Sequence, residues 1–395
     1  MKLLHLSLGL ACASACAETE ESIGTLVHED GPRSAWTSSL AEHGRAEGLL
    51  ARDREGRLAL VRLDDGEVVT RFDVGDLTGV PDASAFVRDD GSLSHLALLA
   101  HDEDEQAGRL RFVPSSPKGF ARGVDVADVQ GRTRVLALAG GALLMQEDLG
   151  QRWSFARTSG GFQETTACPM PTSIIASDSG DSHAAVLAFA WSADAEPVLV
   201  DARLTNDAWQ CDMFPLSTAG PLSESARVAL VPGIGQVLVD AKKSGLRLGR
   251  VGGSAVGPLV SADLGAERIE QVEPWVLSGR SGVAVLTSRP AAVTVLAIDR
   301  DTGPGLAIVE AATVLLPFVT ESSSFSRELV VSEDRVFVAT ASGLVGFELA
   351  LSPVIALHQL ASWPSFADLR GPLVAVPRLP AAYQPIGERD QSKGD

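Results

Sequence analysis

The sequence predicts an all-β chain folded as a β-propeller of seven four-stranded antiparallel blades, with eight as the next count. Three observations predict it. Short runs of Val, Leu, Ile, Ala and Phe recur along the chain at intervals of about 37 to 53 residues, two or three runs to a unit. Gly/Asp turns separate the runs, and 38 glycines supply the left-handed backbone positions that many tight turns require. Amphipathic helical spacing is nearly absent; only Ala266-Glu-Arg-Ile-Glu-Gln-Val272 suggests a helical turn or two. Many short strands with no helices between them mean a sandwich, a barrel or a propeller, and a sandwich has no use for so many units.

Residues 1–17 read as an export signal. Lys2 supplies the positive charge, and Leu3 to Ala13 is an apolar run broken only by His5 and Ser7. Ala13-Ser14-Ala15-Cys16-Ala17 follows, and then the acidic Glu18-Thr19-Glu20-Glu21. Two cuts fit. Ala15-Cys16-Ala17 obeys the small-x-small rule and would release a chain starting at Glu18. Ala13-Ser14-Ala15-Cys16 resembles a bacterial lipobox, departing from it at the first position, where Leu is usual. That resemblance implies acylation of Cys16 and, with Ala17 next in place of Asp, the outer membrane over the inner one. Several acyl chains, at about 0.8 kcal/mol per buried methylene, anchor a domain stably.

Residues 18–384 read as one propeller domain. Arg57-Leu-Ala-Leu-Val-Arg-Leu63, Asp64-Asp-Gly66 and Glu67-Val-Val-Thr-Arg-Phe72 form the clearest unit, an Asp-Gly hairpin between two strands. Later strands centre on residues 93–100, 133–138, 184–191, 235–240, 282–287 and 335–340, with a weaker one at 373–376. A ring must close, because an open end leaves backbone donors and acceptors unpaired. The expectation is that residues 25–38 complete the blade to which 373–376 belong. The tail, 385–395, is polar and is expected to be disordered.

Composition narrows the partners. The formal net charge is −18, and the signal carries only one of the cations, so the exported chain is strongly acidic. Such a surface repels nucleic-acid phosphates and anionic headgroups. The expected partner is therefore a protein or glycan, with membrane contact only through a lipid anchor and the chain a monomer. The uncharged stretch from residue 349 to 367 carries Pro353, His358 and Pro364, and reads as strands and turns rather than a membrane span. Beyond the signal two cysteines remain, Cys168 and Cys211, candidates for a disulfide in an oxidising compartment. Their flanks, Cys168-Pro-Met-Pro and Cys211-Asp-Met-Phe-Pro, look alike. Equivalent positions in successive repeats sit too far apart to bond, so the pairing stays open.

Val331-Ser-Glu-Asp-Arg-Val-Phe-Val-Ala-Thr-Ala-Ser-Gly-Leu-Val-Gly-Phe-Glu-Leu349 resembles a blade of the PQQ-like, quinoprotein-type propellers, as does Val61-Arg-Leu-Asp-Asp-Gly-Glu-Val-Val69. Gln146-Glu-Asp-Leu-Gly-Gln-Arg-Trp153 is similar to a sialidase-type Asp box at Asp148, Gly150 and Trp153, without its Ser and Thr. These resemblances cover about a third of the chain, imply a fold and carry no activity. No quinone cradle is placed by them, and no cofactor is expected. A single tyrosine, Tyr383, argues against a sialidase-type nucleophile.

Other motifs read more simply as structure. Asp178-Ser179-Gly180 and Asp301-Thr302-Gly303 match the aspartic-protease triplet, but Ser177 and Arg300 stand where that family has apolar residues, and both read as turns. Gly180-Asp-Ser182-His183 resembles a GDSL hydrolase block, yet Ala184–Trp191 after it reads as a buried strand, not a helix. His101-Asp102-Glu103-Asp104-Glu105 alternates hard-cation ligands at Asp102, Asp104 and Gln106, but Ala107 stands where a calcium loop has Gly, and a solvated hairpin tip is expected. The histidines are scattered, with none at zinc-ligand spacing. The function expected is a non-catalytic envelope propeller that binds a partner. The alternative is a secreted hydrolase or lyase with its site in the central channel, marked by charged residues with shifted pKa values there.

Overall fold

A computed structural model describes residues 45–384 except 73–78, 89, 102–106, 131–132, 147–151, 159–161, 180–183, 206–207, 219, 244, 302–304, 318–327 and 361–362. Cys16, the rest of the signal, residues 25–38 and the tail lie outside the described residues. The chain forms seven antiparallel blades. Blade 1 comprises Gly79–Val87, Leu93–His101, Ala107–Ser116 and Val124–Gln130, with the short Gly119–Phe120 beside its third strand. Blade 2 runs Thr133–Leu138, Gly141–Gln146, Arg152–Arg157 and Phe162–Ala167. Blade 3 runs Pro171–Ser179, Ala184–Trp191, Pro197–Thr205 and Ala208–Pro215. Blade 4 has Arg227–Val231, Gly235–Lys242 and Gly245–Gly252, its outer edge split between Ala255–Val256 and Val260–Ala262. Blade 5 runs Arg268–Leu277, Arg280–Arg289, Ala291–Arg300 and Leu306–Leu315. Blade 6 runs Leu329–Ser332, Arg335–Thr340, Gly343–Ala350 and Ala356–Gln359. Blade 7 takes its inner strand, Arg370–Val376, from the end of the chain and its outer three, Gly48–Arg52, Leu58–Arg62 and Val68–Phe72, from the beginning. The described residues contain no α-helix, only single 3-10 turns at Pro364–Phe366 and Ala381–Tyr383.

The ring closes where Gly48 pairs with Val376, Leu49 with Ala375 and Leu50 with Val374. The strand at 373–376 closes the ring as the sequence predicts, but its partner is Gly48–Arg52 in place of the expected residues 25–38, because Gly48–Arg52, Leu58–Arg62 and Val68–Phe72 supply the other three strands of that blade. In each of the other blades the first strand is innermost, and inner strands of most neighbouring blades pack against one another around the axis.

The apolar core is a set of seven wedges, one between each pair of adjacent blades. A second strand has a neighbouring blade on both of its faces, so it is apolar throughout instead of alternating. Ala184–Trp191 shows this, buried at every position but the last. The predicted helical turn at 266–272 is a strand. Glu270 forms a bulge between Ile269 and Gln271, so Ile269 and Val272 face the same wedge despite their helix-like spacing. The Asp-Gly hairpin forms as predicted, with Gly66 at φ 71° and the Trp363 ring against its Cα.

Polar side chains of the inner strands tie four of the blades to the next. Val135 N–H donates to Asp82 Oδ2 at 2.8 Å, Val228 N–H to Ser173 Oγ at 3.0 Å, and Leu329 N–H to Gln271 Oε1 at 2.9 Å. Ala46 N–H donates to Ser332 Oγ at 2.8 Å across the blade 6–7 junction. Each tie satisfies a backbone group that the wedge would otherwise leave without water. At the rim, Cys168 and Cys211 form a disulfide with Cα atoms 6.0 Å apart, joining blades 2 and 3.

Candidate functional site

The inner strands, which surround the axis of the ring, carry charged residues. Asp82 and Arg134 come from blades 1 and 2, Arg227 from blade 4, and Glu270 and Glu273 from blade 5, with Glu328 just before blade 6. Asp82, Arg134, Arg227, Glu270 and Glu328 are all buried. Burial lowers the Arg134 guanidinium from its ordinary value, with the charges of Asp82 and Glu273 acting the other way. Burial also pushes Arg227 down to about 10, helped by Arg134 and Arg268 and opposed by Glu270. The groups that act on Arg227 belong to the inner strands of blades 2 and 5.

These groups suit charge recognition better than proton transfer. Arg227 stays charged throughout the physiological range. Glu270 is engaged by Arg268 at 3.0 Å and accepts the Ser288 hydroxyl at 2.5 Å. Glu273 accepts from Gln271 Nε2 at 2.6 Å. Arg227 is the exception: its Nη1 donates to the Ala226 carbonyl at 3.0 Å, and no carboxylate engages it within ion-pair distance among the described residues. The described residues hold no cluster of three His, Cys, Asp or Glu side chains arranged to bind a metal.

The motif residues do not assemble with this channel. Asp301 opens the turn after Ala291–Arg300, its N–H donating to the Gly305 carbonyl at 3.2 Å, while Asp178 is the last residue but one of the first strand of blade 3. They lie in hairpins of different blades, with blade 4 between them. Ser182, His183, Asp102 to Gln106, Asp148 and Gly150 lie outside the described residues. Trp153 is fully buried in the blade 2–3 wedge and donates from Nε1 to the Pro169 carbonyl at 3.2 Å. Tyr383 stacks on Phe120 with ring centroids 5.8 Å apart, at the seam where the ring closes.

Two hollows flank that seam. One, of about 450 Å³, is lined by Arg71, Arg111, Arg122 and Asp125, with Arg111 held by Asp125 at 2.6 Å and Arg71 by Asp53 at 3.3 Å. The other, of about 690 Å³, lies between the first turn of blade 1 and the segment that follows the closing strand. Its residues come from three distant stretches, 88–93, 115–117 and 378–384, with no motif among them, so only the fold brings them together.

No family model matches the sequence, and no curated protein matches it. Solved structures do resemble it. Apo AztD from Citrobacter koseri aligns over 84% of this chain and 98% of its own, at 12% identity and a TM-score of 0.49. A puromycin hydrolase aligns over 84% of this chain and 57% of its own, at 16% identity and a TM-score of 0.44. A hypothetical selenium-binding protein from Sulfolobus tokodaii aligns over 84% and 94%, at 9% identity and 0.43. The likeness is one of fold.

Proposed function

We propose that this chain is a non-catalytic binding propeller of a bacterial envelope, anchored to the outer membrane through acylated Cys16 and taking a protein or glycan partner on its loop faces. The observation that carries the reading is the use made of polar groups along the inner strands. Asp82, Ser173 and Gln271 accept backbone N–H groups of the following blade, and Glu270 and Glu273 are held by neighbours on their own strand. Groups occupied in this way hold the ring together and have no free capacity for substrate chemistry. Recognition then falls to the surface loops, which a rigid ring positions well.

The test has two parts. Intact-mass measurement of the exported protein is expected to show a diacyl or triacyl Cys16 at its start; an unmodified Glu18 would remove the anchor. Calorimetric titration of the exported protein against envelope glycans and peptides, with product analysis of each mixture, is expected to show binding without turnover. Turnover that is lost in Arg227→Gln would replace this reading with the second one, a hydrolase or lyase acting in the channel. Arg227 favours that second reading, because a buried guanidinium with one hydrogen bond retains donors for a ligand.

A further inference from the structure

We propose that the hollow of about 690 Å³ at the seam binds a carboxylate-bearing peptide, with the Arg378 guanidinium as the anchor for the carboxylate. The inference rests on the binding-propeller reading and gives it a site and a ligand class. Four observations carry it. The volume falls in the range of small-ligand sites, which is about 300 to 1,000 Å³. Its lining is mixed as such sites require: Leu93, Pro117, Leu379 and Pro380 give apolar walls, while Ser92, Ser115 and Ser116 give hydroxyls.

The walls are fixed before any ligand arrives. Ser92 and Arg378 form a parallel backbone bridge. Ala382 N–H donates to the Pro117 carbonyl at 3.0 Å, Leu379 N–H to Glu47 Oε2 at 2.7 Å, and Arg62 Nη1 to the Tyr383 carbonyl at 3.0 Å. These ties hold the segment after the closing strand against blades 7 and 1, so a ligand meets a preformed site and orders little on binding.

The charge is the third observation. Arg88 is already engaged, donating to Ser92 Oγ at 3.2 Å and to the Leu93 carbonyl at 3.0 Å. Asp90 accepts from Ser92 N–H at 2.9 Å, and its carboxyl is held below the usual range mainly by the Ser92 hydrogen bonds, with Arg88 and Arg378 adding to the effect. Arg378 is exposed, and its guanidinium makes no hydrogen bond or close ion pair among the described residues. The lining carries two cations, Arg88 and Arg378, and one ionised carboxylate, Asp90, with the Glu47 carboxylate behind it on the Leu379 N–H, so Arg378 is the cation left to meet an anion. Screening at physiological ionic strength acts over about 8 Å, so this nearby guanidinium governs the last step of binding more than the chain's net charge of −18 does.

The fourth observation is the kind of anion this favours. Arg378 presents a fork that matches a planar carboxylate, whereas Asp90 beside it repels a dianion such as phosphate. The apolar walls then take the neighbouring peptide side chains.

The probes are N-acetylated tripeptides with two leucines and a free C-terminal carboxylate, compared with their amides and titrated calorimetrically into the exported protein. The free acid is expected to bind with Kd below about 1 mM, and the amide at least tenfold more weakly. Arg378→Gln is expected to weaken the acid tenfold or more with no change in melting temperature, and Asp90→Asn to tighten it several-fold. Arg88→Gln is a poorer probe because Arg88 also holds the turn. Equal binding of acid and amide, no binding below 1 mM, an unaffected Arg378→Gln, or inorganic phosphate binding more tightly than the acid would each overturn the site. A chain ending at Gln384 is expected to bind the acid with the same affinity; a large gain would assign the hollow to the protein's own last residues. A partner held equally by the wild type and Arg378→Gln would remove this site and leave the binding-propeller reading intact, whereas turnover dependent on Arg227 would remove that reading without touching the hollow.

Discussion

His95 lies between two aromatic rings of its own blade. It is stacked on Phe86 with centroids 5.4 Å apart, and meets Phe112 edge-on at the same separation. Burial there pushes its imidazole down to about 4, the charge of Arg88 acts in the same direction, and the Gly141 backbone opposes both. The folded value is below the unfolded one of about 6.5, so between them the unfolded chain binds more protons than the native one. Stability from this residue is therefore fully present above about pH 6.5 and falls as the pH drops toward 4. Denaturant melts at pH 7 and pH 5 are expected to differ by about 2 kcal/mol on its account, and His95→Phe to remove that share of the difference. An unchanged pH slope in the variant would mean that the ring is protonated in place. Asp82 is the matching case among the carboxylates, 1% exposed and accepting the Ala83 and Val135 N–H groups. Asp82→Ala leaves two buried N–H groups without their acceptor and removes one of the two carboxylates that act on Arg134, and is expected to cost about 3 kcal/mol. Asp82→Asn keeps an acceptor and is expected to cost about half as much, which separates the hydrogen bond from the charge.

At the scale of the strand, legibility followed burial geometry. Second strands such as Ala184–Trp191 and Arg335–Thr340 have a blade on each face and read as unbroken apolar runs, so they were visible in the sequence. Inner strands were mostly hidden, because Asp82, Ser173 and Gln271 interrupt their pattern with the polar groups that tie blade to blade. Outer strands were hidden for another reason: Ala356–Gln359 is short and half exposed, and nothing distinguishes it from a loop. The bulge at Glu270 turned a strand into an apparent helical turn. The seam hollow had no local signal at all, since it depends on ring closure to bring 378–384 beside 88–93. The cysteines show the same limit. Their similar flanks suggest equivalent repeat positions, yet Cys168 follows the last strand of blade 2 while Cys211 lies within the last strand of blade 3. A displacement of that kind brings the two rims within bonding distance. The bridge closes a separation of 43 residues, which the chain-entropy relation values at about 4 kcal/mol. For a domain of this size, reduction is expected to lower the melting temperature by about 5 °C. Cys168→Ala with Cys211→Ser is expected to melt at that lower temperature with and without reductant. No effect of reductant on the wild type would show that the thiols are free.

Over the whole molecule, stability depends on a strand that belongs to two wedges at once. Leu373 packs into the blade 6–7 wedge beside Leu49 and Phe337, while Val374 and Val376 pack into the blade 7–1 wedge beside Leu50 and Leu98. The same strand pairs with Gly48–Arg52 and covers what would otherwise be a free backbone edge on the axis. Because each blade contacts mainly its neighbours, a stack without this strand would be an open array with two exposed ends. Deleting residues from 370 onward is therefore expected to do more than subtract one strand's burial. The transition in urea should broaden, its slope should fall because less surface is buried in the native state, and a hydrophobic dye should bind before unfolding. Leu373→Ala provides the graded control: it thins one wedge, and is expected to cost about 3 kcal/mol with the slope unchanged. The comparison separates closure from packing. If the truncated chain unfolds in one sharp transition with the wild-type slope, the blades hold together by neighbour contacts alone and the seam is not what makes the ring a unit. If the truncation broadens the transition and Leu373→Ala merely shifts it, cooperativity resides in closure, and any ligand seated at the seam would stabilise the ring as a whole.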